Sequence, residues 1–127
     1  MRTLVTGCAG FIGYHTVVKL LTVNKRYSVV GVDNLNKYYD LKLKKNRLKQ
    51  IFSLAKKRKI NFKFFQLDIS SKANMNKIFK KYRFDLVIHL AAQAGVRYSM
   101  IKPYTYYQSN LMGFANIIEL SKKYKVK

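Results

Sequence analysis

Three glycines, Gly7, Gly10 and Gly13, recur at three-residue spacing directly after the short β-type run Arg2 to Thr6. Twenty residues past the last of them, Asp33 closes a second β-type run, Tyr27 to Val32. Each part of this pattern does separate physical work. Gly7 permits a tight turn, Gly10 lets main chain approach a diphosphate, and Gly13 lets a following helix pack close to a sheet. The start of that helix offers N–H groups and a partial positive charge to an anion. An acid in the position of Asp33 accepts hydrogen bonds from an adenosine ribose diol and repels a 2′-phosphate, which favours NAD over NADP. Asp68 closes a third β-type run, Phe62 to Leu67, and its carboxylate could accept from an adenine amino group. The plain alternatives are a turn-forming role for Asp33 and an N-cap or turn role for Asp68.

The elements that would carry these residues follow from hydrophobic periodicity. A helical pattern runs from the glycines to about Val23, with Ile12, Val17, Leu20 and Leu21 on one face. Asn34 to Tyr38 is polar and loop-like. Leu41, Leu48, Ile51 and Leu54 repeat at helical spacing, and Lys42 to Lys59 reads as an amphipathic helix with a solvated lysine face. Ser70 or Ser71 suits the N-cap of a helix reaching about Tyr82. Phe84 to Ala92 is almost continuously apolar, as in a strand buried on both faces. Pro103 suits the first turn of a last helix carrying Tyr107, Leu111, Phe114, Ile118 and Leu120. Strands alternating with helices predict an α/β fold: the first part of a doubly wound parallel sheet of Rossmann type, in strand order 3-2-1-4. Lys125 to Lys127 stands where a fifth strand should begin. The expectation is therefore one partial dinucleotide-binding domain over residues 1–127, truncated before that strand, with no substrate domain.

Composition narrows the function classes. The chain has 127 residues, 49% of them apolar, enough for one domain with a real core. Its apolar runs are short and broken by charge, so no membrane-spanning helix is expected, and Met1 to Thr6 lacks the pattern of a signal peptide. Cys8 is the single cysteine. With only His15 and His89 beside it, a protein-built metal site is not expected, and a reducing cytoplasm fits best. The formal net charge of +21 raises a nucleic-acid partner as a class. Lysine dominates the basic residues, however, and they spread along the chain. With Asn, Ile, Phe and Tyr also plentiful, this reads as compositional bias rather than a nucleic-acid surface.

Several segments together resemble a known family. They are Val5-Thr6-Gly7-Cys8-Ala9-Gly10-Phe11-Ile12-Gly13, Val32-Asp33-Asn34-Leu35-Asn36, Tyr38-Tyr39-Asp40 and Leu90-Ala91-Ala92-Gln93-Ala94-Gly95-Val96-Arg97-Tyr98-Ser99. They resemble the extended short-chain dehydrogenases/reductases and, more narrowly, bacterial UDP-glucuronate 4-epimerases and related nucleotide-sugar epimerases. Pro103, Tyr107, Ser109-Asn110-Leu111 and Gly113 continue the match over essentially the whole chain. The resemblance implies tightly held NAD that accepts and returns a hydride at C4 of a UDP-sugar. It implies Gly7, Gly10, Phe11, Ile12 and Gly13 at the pyrophosphate, and Asp33, Asn34 and Asn36 at the adenosine side. Asp68 and Ile69 would serve the adenine, and Leu90, Ala91, Ala92 and Gln93 the nicotinamide-side ribose. Arg97, on the loop after the fourth strand, would face the sugar, and part of Tyr107 to Ile118 would form a homodimer interface.

The family's base is a tyrosine in a Tyr-x-x-x-Lys pair on a helix after the fifth strand. Tyr38 with Lys42 and Tyr98 with Lys102 have the spacing but follow the second and fourth strands, and Pro103 disfavours helix at Lys102. No catalytic residue is therefore expected in this chain. The expectation is the cofactor-binding portion of an epimerase, inactive alone. The alternatives are a non-catalytic NAD-binding module and, with less support, a basic nucleic-acid-binding protein.

Overall fold

The computed structural model describes residues 1–23 and 27–126. Four parallel strands, β1 (Arg2–Thr6), β2 (Ser28–Asp33), β3 (Phe62–Gln66) and β4 (Leu86–His89), form one sheet in the order β3-β2-β1-β4. This is the expected topology. The helices are α1 (Phe11–Val23), α2 (Leu41–Arg58), α3 (Lys72–Tyr82), α4 (Val96–Ile101), α5 (Pro103–Tyr106) and α6 (Phe114–Lys123). A π-helical stretch, Tyr107–Gly113, joins α5 to α6, and right-handed helical geometry at Tyr107 and Phe114 carries the rod through both junctions.

Period-two alternation in the strands divides the core. Val5 and Val29 face α1 and α2, joining Val17, Leu21, Leu48 and Ile51. Leu4, Val30 and Val32 face α3 and α6, joining Met75, Phe79, Ile117 and Leu120. Burying side chains such as Leu21 or Phe79, both fully covered, contributes about 1.5–3 kcal/mol each. The long helix α2 is fixed at both ends. Asp40 caps it by accepting from the Lys42 amide at 2.8 Å, and Lys59, in left-handed geometry, closes it on the carbonyls of Ala55 and Lys56.

Several sequence-based expectations need correcting. Ile12 is exposed, because the face α1 turns to the core runs through Gly13, Val17 and Leu21. The lysine-rich face of α2 is not wholly solvated: Lys44 is buried. Ser71 stands at the N-cap of α3 without a side-chain capping bond. The strand expected over residues 84–92 is only Leu86–His89 and half-buried, since β4 pairs with β1 alone among the described strands. Arg97 lies in the short helix α4 rather than in a loop. The last helix is interrupted by the π-helical stretch. Tyr107, Leu111, Phe114 and Ile118 are exposed there, while Leu120 is buried. The segment expected to open a fifth strand is a turn at Lys125, and Lys127 lies outside the described residues.

Candidate functional site

At the carboxyl ends of the strands the chain turns a corner from β1 into α1. Gly7 makes the turn with a positive φ of 69° and donates to the Val32 carbonyl at 2.7 Å. Gly10 donates back to the Gly7 carbonyl at 3.0 Å. A Cβ on Gly13 would run into that same carbonyl, so α1 approaches β1 as closely as the expected glycine role requires. The first-turn amides of a helix have no acceptor within it. In α1 they lie at the edge of the cavity that Gly10 and Phe11 line, and the first turn carries no acidic residue to compete with an anion.

Asp33, buried at the end of β2, reaches under this corner. Its Oδ2 accepts from the Ala9 amide at 3.1 Å and its Oδ1 from the Leu35 amide at 2.9 Å. Lys44 projects from α2 into the same place. Its Nζ donates to the Asn36 side chain at 2.9 Å and main chain at 3.2 Å, and stands 3.9 Å from Asp33. Asn36 donates onward to Gln93 at 3.3 Å, which ties the loop after β2 to the loop after β4. Gln93 and Asn110 exchange two hydrogen bonds, of 2.8 and 3.0 Å. The π-helical widening thus supplies a polar side chain that pins the β4 loop. Above it, Tyr38 packs on Tyr98 at 4.7 Å, and Tyr106 donates to the Ala94 carbonyl at 2.8 Å.

These elements enclose a cavity of about 580 Å³, a volume suited to a small-molecule cofactor. Eleven of the expected residues line it: Gly7, Gly10, Phe11, Asp33, Asn34, Asn36, Ile69, Leu90, Ala91, Ala92 and Gln93. Four do not. Ile12 lies beside it on an exposed face of α1, Gly13 is buried beneath the turn, and Arg97 is exposed on α4. Asp68 sits behind the wall, where it accepts from Asn34 at 2.9 Å and from the Ser70 amide and hydroxyl at 2.9 and 2.7 Å. Its carboxylate therefore shapes the loop after β3 while its neighbours Leu67 and Ile69 line the cavity. Sequence reasoning missed Lys44 and Arg47, both on α2, together with Tyr38, Tyr39 and Ser109. Lys44 and Arg47 carried a signal: they lie three residues apart on the face that holds Leu48 and Ile51 toward the core.

The single thiol and the two imidazoles are structural. Cys8 packs its sulfur over Gly31, and burial, with the charge of Asp33 adding, pushes its thiol far above the ordinary range. His15 is exposed, its ring edge-on to Phe11 and Tyr14. Thr6 accepts from the amides of Leu90 and Ala91 at 3.1 Å each, so its own proton goes to His89 Nδ1 at 2.6 Å. That arrangement requires the neutral ring protonated on Nε2. Burial lowers the pKa of His89 below 6.5. For Asp68, burial pushes upward, but the bonds from Asn34 and Ser70 outweigh it and leave the carboxyl below 3.8. Both shifts make the fold acid-sensitive, in two steps. Below pH 6.5 the unfolded chain takes up a proton that folded His89 refuses, and stability falls until the folded imidazole also titrates. Below 3.8 the same holds for Asp68. Urea midpoints measured from pH 8 to pH 3 should decline in those two windows, and His89→Gln should flatten the first; a midpoint constant from pH 8 to pH 5 would contradict this assignment.

Comparison with known proteins places this geometry in a family. A family model described as GDP-mannose 4,6 dehydratase matches residues 4–127. The UDP-glucuronate 4-epimerase of Thermodesulfobacterium geofontis is 47% identical over 124 residues, covering 98% of this chain and 36% of that protein. Protein CapI of Staphylococcus aureus is 42% identical over 126 residues, covering 99% of this chain and 35% of CapI. Among solved structures, a mutant UDP-glucuronic acid 4-epimerase from Bacillus cereus, in complex with UDP-4-deoxy-4-fluoro-glucuronic acid and NAD, superposes with a TM-score of 0.85 at 34% identity, over 100% of this chain and 38% of that one. The Thermotoga maritima UDP-glucose 4-epimerase with UDP-glucose gives a TM-score of 0.80 at 36% identity, over 100% of this chain and 36% of that one. The chain thus spans about a third of the length of the relatives it matches. With the glycine corner, the acid at the end of β2 and the sheet order all in agreement, the chain belongs to the NAD-dependent epimerase/dehydratase family of extended short-chain dehydrogenases/reductases.

Proposed function

We propose that this chain is the NAD-binding portion of a nucleotide-sugar 4-epimerase acting on UDP-glucuronate. One observation carries the reading: Gly7, Gly10, Asp33 and Leu90 to Gln93 meet around one cavity at the carboxyl edge of the sheet, where open α/β folds bind ligands. The pyrophosphate lies at the β1–α1 corner against Gly7, Gly10, Phe11, Ile12 and Gly13. The adenosine ribose lies on Asp33, with Asn34 and Asn36 beside it, and the adenine near Ile69 with Asp68 behind. The nicotinamide-side ribose runs along Leu90, Ala91, Ala92 and Gln93. Arg97, exposed on α4, meets the sugar or its phosphates. Bound NAD would supply the hydride acceptor for a sugar C4; the residues of this chain bind and orient it.

Sugar turnover is not expected from the 127 residues alone. The two Tyr-x-x-x-Lys pairs present, Tyr38 with Lys42 after β2 and Tyr98 with Lys102 after β4, do not follow a fifth strand, and both lysines are exposed. The free thiol of Cys8 fits a cytoplasmic setting. The exposed apolar residues Tyr107, Leu111, Phe114 and Ile118 suit a second copy of the chain. Calorimetric titration with NAD should give saturable one-to-one binding, while incubation with UDP-glucuronate and NAD gives no UDP-galacturonate. The absence of any NAD heat would refute the binding reading, and robust turnover would refute the claim of inactivity.

A further inference from the structure

Resting on that binding reading, we propose that the loops after β2 and β4 form a clasp over the cavity, and that NAD enters and leaves only while the clasp is open. Sheet order carries the argument. β2 and β4 flank β1 on opposite sides, so their ends stand about 10 Å apart, two strand spacings. The end of β1 and the glycine corner lie between them. Side chains of the two loops nevertheless meet. Asn36 donates to Gln93 at 3.3 Å, and the Tyr38 and Tyr98 rings pack at 4.7 Å. The Tyr38 hydroxyl fills the space where a side chain on Gly95 would stand. Gly95 has a φ of 101°, a geometry that favours glycine. The loops therefore arch across the end of β1, where the proposed pyrophosphate lies, and Asn36, Tyr38, Gln93 and Ala94 line the cavity from the arch. The feet of the arch are firmly held. Lys44 donates to the side chain and the main chain of Asn36. Gln93 exchanges two hydrogen bonds with Asn110, and the Tyr106 hydroxyl is shared between the Ala94 and Gly95 carbonyls. The crown has one neutral hydrogen bond and its ring contacts, so it is the joint that gives first. A dinucleotide beneath it carries a nucleoside on each side of its pyrophosphate, and would have to draw one of them under the crown to leave.

Association and dissociation rates for NAD, measured by surface plasmon resonance on the tethered 127-residue chain, separate a gate from a contact. A gate limits passage in both directions, so loosening it raises both rates together, whereas a lost contact speeds dissociation alone. Tyr98 and Tyr106 suit the test because neither lines the cavity. Tyr98→Ala removes the ring that meets Tyr38. It should raise both rates about tenfold, the worth of an aromatic pair, while the dissociation constant moves by less than about threefold. Tyr106→Phe, a milder change that frees the Ala94 and Gly95 carbonyls, should raise both rates about threefold. Circular dichroism checks the fold of each variant, and if Tyr98→Ala unfolds, Tyr106→Phe decides. Unchanged rates in the folded variants, or faster dissociation with unchanged association, would overturn the clasp while leaving the NAD site intact. If the unmodified chain binds no NAD, the site itself has been misread, and the proposal falls with it.

Discussion

Gly7→Ala should unfold the β1–α1 corner and abolish dinucleotide binding together. Gly7 has a φ of 69°, a left-handed geometry that costs a residue bearing a Cβ roughly 1–2 kcal/mol. The added methyl would also stand 2.8 Å from the Ala91 nitrogen and 2.9 Å from the Ala91 Cα and the Leu90 carbonyl carbon. Those are main-chain atoms of the segment leaving β4, so relief cannot come from a rotamer change. Leu90 and Ala91 would have to retreat, pulling their amides from the Thr6 hydroxyl and deforming the cavity wall they form. Strain and lost bonds together should cost on the order of 3 kcal/mol, seen as a fall of about 10 °C in Tm for a domain of this size. Gly10→Ala is the comparison. Its Cβ would meet only the Gly7 carbonyl oxygen, at 3.1 Å, so a much smaller fall in Tm is expected there. Equal thermal stability of Gly7→Ala and the unmodified chain would contradict the role assigned to the turn.

Asp33→Ala should weaken NAD binding about 100-fold, from the loss of two charge-assisted hydrogen bonds to a ribose diol at about 1.5–3 kcal/mol each, less the part water restores. The variant also loses the acceptor for the Ala9 and Leu35 amides and leaves Lys44 buried without its counter-charge, costing about 2 kcal/mol of stability. Asp33→Asn separates the effects: it keeps the shape and one acceptor oxygen but not the charge, so the fold recovers only the share of stability that one amide bond carries while NAD affinity stays low. Calorimetry and thermal unfolding on the same samples read both quantities. Affinity for NAD within threefold of the unmodified chain in Asp33→Ala would remove this carboxylate from the site.

The sheet order and the glycine corner were legible in the sequence because each is written locally: apolar runs of strand length, glycines at fixed spacing, an acid at a strand end. The burial of Lys44 was not. A lysine in a lysine-rich helix reads as solvated, and only tertiary packing brings its ammonium against Asp33 and Asn36. Asp68 shows the reverse limit. Its place at the end of β3 is clear from pattern, but the engagement of its oxygens by Asn34 and Ser70 depends on how two loops meet. The apolar run over residues 84–92 suggested a strand buried on both faces, yet hydrophobicity alone cannot tell a central strand from one paired on a single side. The π-helical stretch left no periodic mark, and with it went the placement of Asn110 against Gln93.

The central claim is that a dinucleotide lies across the β1–α1 corner with its adenosine end on Asp33. Amide NMR of the isotope-labelled chain during NAD titration tests it most directly. Saturable shifts concentrated at residues 7–13, 33–36 and 90–93, with the α3 and α6 amides remote from the cavity unmoved, are the predicted result. Shifts confined to the lysine-rich outer faces of α2 and α3, or none at all with a folded chain in saturating NAD, would contradict it.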